Sequence, residues 1–181
     1  MAILCALIVV LQLMSAIIPP VAGFPLSFVL IPIIVGAALY GVKSGMVLGG
    51  VFGLIVFINC VNGMDIGGNM VFNANPLLCF AVVMIKGIAA GAAAGFVYHH
   101  LKIHNPYIRI LLAAIVCPVV NTGIFIACML AFFIDVLGEW AAGGDIIGYV
   151  LSGLVLANFV PELLINIVFS IPGQRIIKTI K

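Results

Sequence analysis

Six nearly unbroken apolar stretches alternate with short polar segments along the chain. They run roughly over 2–18, 26–41, 44–60, 76–98, 108–134 and 146–171. Each meets or approaches the ~20 residues that a helix needs to cross a hydrocarbon core. The connections are punctuated segments: Pro19-Pro20 to Pro25, Gly41 to Gly45, the Asn- and Gly-rich 59–76, the basic 99–109 and the acidic 135–145. The pattern predicts an all-α integral membrane protein with six transmembrane helices. The connections are too short to hold a second domain, so residues 1–181 are expected to form a single membrane domain. The first stretch lacks a basic leader and runs on into Pro19-Pro20 and further apolar segments, so it reads as a span rather than a cleaved signal.

Composition agrees with the pattern. Of 181 residues, 66% are hydrophobic and 7% charged, and the mean hydropathy is +1.44. These values put the chain in the lipid-embedded class. The net charge of +2 is too small to argue for nucleic acid, but its placement is informative. With alternate connections assigned to one side, Lys43, Lys102, Arg109, Arg175, Lys178 and Lys181 fall together. Asp65, Asp135, Glu139 and Asp145 fall on the other side, without a lysine or arginine. The excess of basic residues marks the cytoplasmic face, so both termini are expected there, in a bacterial plasma membrane. The five cysteines are odd in number and lack CxxC spacing, and they read as small buried hydrophobes. A Cys60–Cys79 bridge near the outer face is the alternative.

Polar residues inside the apolar stretches are the candidates for chemistry. In Cys117-Pro-Val-Val-Asn-Thr-Gly-Ile-Phe125, Pro118 removes a helix hydrogen bond and Asn121 brings an amide into a medium without water. Such groups face a bundle interior or a cavity. Asn121 and Thr122 either join two helices or line a small-molecule site. Lys86 and Glu162 each cost about 2.5–3.5 kcal/mol at a helix centre unless partnered. At ~1.5 Å rise per residue, Lys86, Asn121 and Asn158 lie at similar depth, with Glu162 one turn deeper. Two arrangements stand open: a structural Lys86–Glu162 ion pair, or a polar layer of Lys86, Asn121 and Asn158 opening outward.

Around this layer, Gly45, Gly49 and Gly53, and Gly87, Gly91 and Gly95, are spaced by four, which lets helix backbones approach closely. Ala2 and Ala6 form a shorter example. The ladders read best as internal packing. The Asn-rich connection, with Asn73 and Asn75, reads as a loop of turns, either simply solvated or with its apolar members folded back over a site. Phe24 and Ser27 belong to a stiff apolar flap. Trp140 is either an interfacial anchor or a third wall. His99, His100 and His104 lack a nearby acid or cysteine and read as a solvated loop. There is no phosphate-binding G-x-x-x-x-G-K-[ST], no G-x-S-x-G and no H-E-x-x-H. No cofactor is expected, and no nucleophile–base pair supports an enzyme.

Several of these segments match a known pattern. Ala2-x-x-x-Ala6, Phe24-Pro-Leu-Ser-Phe-Val-Leu-Ile-Pro32, Tyr40-Gly-Val-Lys-Ser-Gly45, Pro118-Val-Val-Asn-Thr-Gly-Ile-Phe125 and Asn158-Phe-Val-Pro-Glu-Leu-Leu-Ile-Asn166 together resemble an energy-coupling factor (ECF) transporter S component. The resemblance implies capture of a vitamin at the outer side, between the later helices and the external loops. It also implies association with a membrane coupling subunit and two cytoplasmic ATPases. In that family an alanine pair on the first helix docks on the coupling subunit, which gives Ala2 and Ala6 a partner-docking role. The expected substrate-binding set is Phe24, Ser27, Asn73, Asn75, Lys86, Asn121, Thr122, Phe125, Trp140, Asn158 and Glu162. A lysine among them suits a carboxylate, so pantothenate is the first expectation. Neutralisation of Lys86 by Glu162 would favour a neutral vitamin instead. A stand-alone secondary transporter and an intramembrane enzyme are the readings from other classes.

Overall fold

The computed structural model describes residues 1–17 and 28–180. Phe24, Ser27 and most of the flap expected over Pro19–Phe28 lie outside the described residues. The elements are helical: α1 (Ala2–Ile17), α2 (Leu30–Tyr40), α3 (Val42–Val61), α4 (Ile66–Ala74), α5 (Pro76–His100), α6 (Pro106–Phe132), α7 (Ile134–Trp140), α8 (Ile146–Tyr149), a π-helical segment (Val150–Phe159) and α9 (Val160–Ile180). The last three run on without a break over Ile146–Ile180.

Four of these helical stretches are long and apolar enough to cross a membrane: α3, α5, α6 and Ile146–Ile180. The sequence pattern led us to expect six. The difference lies in α1 and α2, which are apolar but short. The 11 residues of α2 rise only about 16 Å, near half the thickness of a hydrocarbon core. Its C-terminus is fixed by Gly41, whose φ of 95° is a left-handed conformation that side chains disfavour. The Gly41 N–H closes α2 on the Ala37 carbonyl, and α3 starts at the next residue.

The centre of the bundle is the α3–α5 pair, with α6 on the other side of α5, α9 against α6, α2 against α3, α5 and α9, and α1 against α3 and α2. The glycine ladders are the seam of that pair. A Cβ added at Gly45 would run into the Gly91 carbonyl, one at Gly49 into the Gly87 carbonyl, and one at Gly91 into the Gly45 carbonyl. At Gly53 it would come 2.7 Å from the Val83 carbonyl oxygen, and at Gly95 it would come 2.8 Å from the Val42 Cα. Backbone therefore lies directly on backbone. In lipid no hydrophobic force draws helices together, so contact at this range, with its dispersion energy, holds them.

Two connections read as loops contain helices. Residues 66–74 form α4 because Asp65 caps its N-terminus, accepting from the Gly68 N–H at 2.9 Å. The interleaved apolar positions then supply a buried face, with Val71 at its centre. Residues 134–140 form α7, with Val136 and Leu137 buried. His99 and His100, expected in a solvated loop, instead close α5, where the His99 Nε2 meets the Ala37 carbonyl at 3.1 Å. The helix also continues through Pro118 rather than breaking there.

The seam generates a paired test. Gly49→Ala drives a methyl into the Gly87 carbonyl, and overpacking of this kind costs about 1–3 kcal/mol. Its neighbour Gly50→Ala meets nothing closer than an Ile88 side-chain carbon at 3.7 Å. In detergent, Gly49→Ala is expected to lower the melting temperature by several degrees, with Gly50→Ala unchanged. Equal melting temperatures would mean that the seam carries no stability.

Candidate functional site

A cavity of about 100 Å³ opens in the bundle. On the same measure a single water needs about 10–15 Å³, so it has room for several waters or one small organic molecule. Its walls come from six elements that are far apart in the chain. Helix α3 contributes Phe52, Val56 and Cys60, and α5 contributes Cys79, Val82, Val83 and Lys86. Helix α6 adds Asn121, Thr122 and Phe125, and the last helical stretch adds Leu154, Asn158 and Glu162. Gln12 reaches it from α1, and Asp65, Gly68 and Val71 from α4 and its cap.

Lys86, Asn121, Thr122, Phe125, Asn158 and Glu162, all singled out from the sequence, thus meet around one space. The Lys86 ammonium sits 4.7 Å from the centre of the Phe125 ring, a cation–π contact that is stronger in a desolvated place. Among the described residues no carboxylate lies within 4.0 Å of Lys86, so the structural Lys86–Glu162 ion pair is not formed. One Glu162 carboxylate oxygen is buried without a hydrogen-bond partner, as are Gln12 Oε1 and Asn121 Oδ1. These three residues are 4%, 5% and 7% exposed. Unpaired groups at that burial cost about 1–3 kcal/mol each, more if charged. The wall therefore combines an ammonium donor with a set of unsatisfied acceptors.

Local structure explains how these groups reach the cavity. Val150–Phe159 is a π-helix, closed by the Val160 N–H on the Val155 carbonyl, five residues back. Pro161 follows at once. It has no N–H, so an ordinary α-helical bond to Ala157 is impossible. Wide helical turns of this kind recur at functional sites, and this one carries Leu154 and Asn158. On α9, Asn166 donates from Nδ2 to the Glu162 carbonyl at 2.8 Å.

Helix α4 lies over the α3 end of the cavity. Asn69 Nδ2 donates to the Cys60 carbonyl at 2.8 Å, pinning α4 to the last turn of α3. A Cβ at Gly68 would strike the Cys60 sulfur, so the approach there requires glycine. Trp140 does not line the cavity. Its Nε1–H donates to Met70 Sδ on α4 at 3.1 Å, and its ring stands 6.4 Å from that of Tyr149. Asn73 and Asn75 lie outside the cavity as well. Asn73 is exposed and donates to Asn69 Oδ1 at 3.0 Å. Asn75 caps α5, accepting from the Leu78 N–H at 3.1 Å. All five cysteines are free, with no Cys60–Cys79 bridge, although both of those line the cavity. Among the described residues no group of three or more metal-ligating side chains occurs.

Gln12 and Asp65 escaped the sequence reading. Gln12 is an amide inside an otherwise apolar run, the signal that picked out Asn121, and it belonged in the same set. Asp65 read only as one of the acids on the outer side, because nothing local reveals that it caps a helix over residues 66–74.

If α4 covers the site, the Asn69 hydrogen bond holds the cover down. A neutral hydrogen bond contributes about 1 kcal/mol net, near a fivefold shift in an opening equilibrium. With the other four cysteines replaced by alanine, Asn69→Ala is expected to speed labelling of Cys60 by a water-soluble thiol reagent about fivefold. An unchanged rate would show that α4 does not control access.

Comparison with known proteins bears on what the cavity serves. Residues 1–172 match the family model "ECF transporter, substrate-specific component". A curated protein of similar sequence is "Pantothenic acid transporter PanT" of Lactococcus lactis subsp. cremoris (strain MG1363). It is 27% identical over 180 residues, covering 94% of this chain and 87% of the relative. No solved structure matches. The matched family consists of transporter components that bind substrate rather than enzymes. The chain belongs to the ECF transporter substrate-specific component family, whose members are multi-pass proteins of bacterial plasma membranes.

Proposed function

We propose that the protein captures pantothenate, or a closely related carboxylated micronutrient, as the S component of an ECF-type importer. The observation that carries this reading is the Lys86 ammonium, with no carboxylate within 4.0 Å among the described residues, beside buried oxygen acceptors in one cavity. An ammonium offers three donors to a carboxylate, and the acceptors suit hydroxyl and amide N–H groups. The name of the Lactococcus relative supports the same substrate. Glu162, in the same wall, favours a second reading in which a neutral vitamin binds.

In this proposal six helical segments of one membrane domain cross the bilayer, the short α1 and α2 among them, with both termini cytoplasmic. Lys43, Lys102, Arg109, Arg175 and Lys178 then share the inner side, as the positive-inside rule requires. Substrate contacts come from Lys86, Asn121, Thr122, Phe125, Asn158 and Glu162. Energy comes from a membrane coupling subunit and two cytoplasmic ATPases, the chain itself having no phosphate loop. Ala2 and Ala6 are exposed on α1, as docking residues must be.

Binding to the purified protein separates the two substrates. A hydrogen bond to a charged group contributes about 1.5–3 kcal/mol, so Lys86→Met is expected to weaken pantothenate about 10- to 150-fold in calorimetric titration. Glu162→Gln removes a competing negative charge and is expected to preserve or tighten binding. If pantothenate does not bind while a neutral vitamin does, and Lys86→Met leaves that affinity unchanged, the carboxylate reading is wrong.

The partner claim has its own test. Ala2→Leu with Ala6→Leu is expected to abolish ATP-driven uptake in cells while leaving pantothenate affinity within about twofold, since neither residue is in the cavity. Full-rate uptake into liposomes containing this chain alone would contradict it.

A further inference from the structure

Helix α1 presents one polar side chain to the cavity. Gln12 lies one turn beyond Ile8 on the same face, and Ile8 is fully buried. Gln12 lines the cavity, and its Oε1 is buried and unpaired within the protein. A structural amide in lipid would be held by a neighbouring backbone or side chain, as Ser15 on the next turn is by the Leu11 carbonyl at 2.9 Å. Gln12 has the burial of such a residue and lacks its bond.

We propose that Gln12 is a specificity-determining residue that reads a hydroxyl group of the substrate. The inference rests on the cavity being the site for a carboxylated, hydroxyl-bearing vitamin. The assignment follows from hydrogen-bonding chemistry. Lys86 supplies donors and suits the carboxylate. Asn121 and Glu162 leave further acceptor atoms unpaired in the same wall. A hydroxyl both donates and accepts, so it satisfies the buried end of the Gln12 amide in either orientation of that amide. An apolar ligand, or one bearing only a carboxylate, would leave the amide as it stands in the empty protein. Pantothenate carries its two hydroxyls and its carboxylate at opposite ends, so it presents the two kinds of group to separate partners. Recognition by a buried amide discriminates sharply, because an analogue without the hydroxyl leaves the amide unpaired.

The test compares pantothenate with its analogue lacking both hydroxyls, titrated against the purified full chain and two variants. Gln12→Met keeps the length and removes the amide, and Gln12→Asn withdraws the amide by one methylene. Both are expected to weaken pantothenate about tenfold, while affinity for the dideoxy analogue changes less than about twofold. The empty Gln12→Met protein is expected to melt no lower than the unsubstituted one, because the amide it loses had no partner. A positioning role would lower that melting temperature and weaken both ligands alike, and this result overturns the proposal. Unchanged pantothenate affinity in both variants overturns it too, with the pantothenate reading left intact. If the unsubstituted protein binds no pantothenate at all, the substrate reading fails and this inference falls with it.

Discussion

The α3–α5 seam is the constraint on which the rest of the molecule depends. A polypeptide in hydrocarbon gains little by burying one apolar side chain against another, because lipid tails offer the same surroundings. Glycine carbonyls laid against glycine Cα atoms, at Gly45 with Gly91 and Gly49 with Gly87, provide contact that lipid cannot match. The seam also leaves room for a site. Its last rung is Gly53 against Val83. Val56 and Cys60 beyond it on α3, and Val82 and Cys79 beyond it on α5, turn to the cavity. Tight packing at one end of the pair holds the other end at a fixed width without filling it.

A cavity built this way still has to justify its polar wall. Gln12, Asn121 and Glu162 each bring a buried oxygen with no partner, and together they work against the stability of the empty protein. Asn166, which also has an unpaired oxygen, at least secures its amide nitrogen on the Glu162 carbonyl. Unsatisfied acceptors gathered at one place, rather than scattered through the bundle, make sense as groups that find partners on a ligand. In the proposed function, stability given up in the empty state would return as affinity and as selectivity between ligands.

Much of this was legible in the sequence, and the limits have physical causes. Lys86, Asn121 and Asn158 were placed at one depth by counting residues, which works because a helix advances by a fixed rise. The glycine ladders declared their own packing, since residues four apart share a face. The Asn-rich connection was misread as turns because asparagine and glycine favour turns in isolation. Asp65 as a cap and Val71 as a buried contact outweigh that preference here. The end of α2 at Gly41 was legible from the glycine, whereas its start at Leu30, which leaves it at 11 residues, was not, because the apolar run extends upstream of it. Trp140 was offered as a wall or an anchor; it does not line the cavity, and its bond to Met70, a contact 70 residues distant in sequence, is one that no local pattern announces.

The last helical stretch shows how one period serves two ends of the molecule. Asn158, Glu162, Asn166, Ser170 and Gln174 recur every four residues, and the last four of them are buried. At its start this stripe faces the cavity. At its far end Gln174 accepts from the Tyr98 hydroxyl at 3.2 Å, and Arg109 lies over the Tyr98 ring at 5.1 Å. A wholly apolar stripe would bury with less penalty, and nothing in lipid favours polar groups there for stability alone. Asn166 and Ser170 bond carbonyls of their own helix, whereas the Tyr98–Gln174 bond crosses to α5 and, being directional, resists rotation of α9 about its own axis where apolar contacts would let it drift. That rotation decides whether Asn158 and Glu162 point into the cavity. The Tyr98–Gln174 bond, close to the basic end of the bundle, therefore helps hold cavity-lining groups four turns away in register.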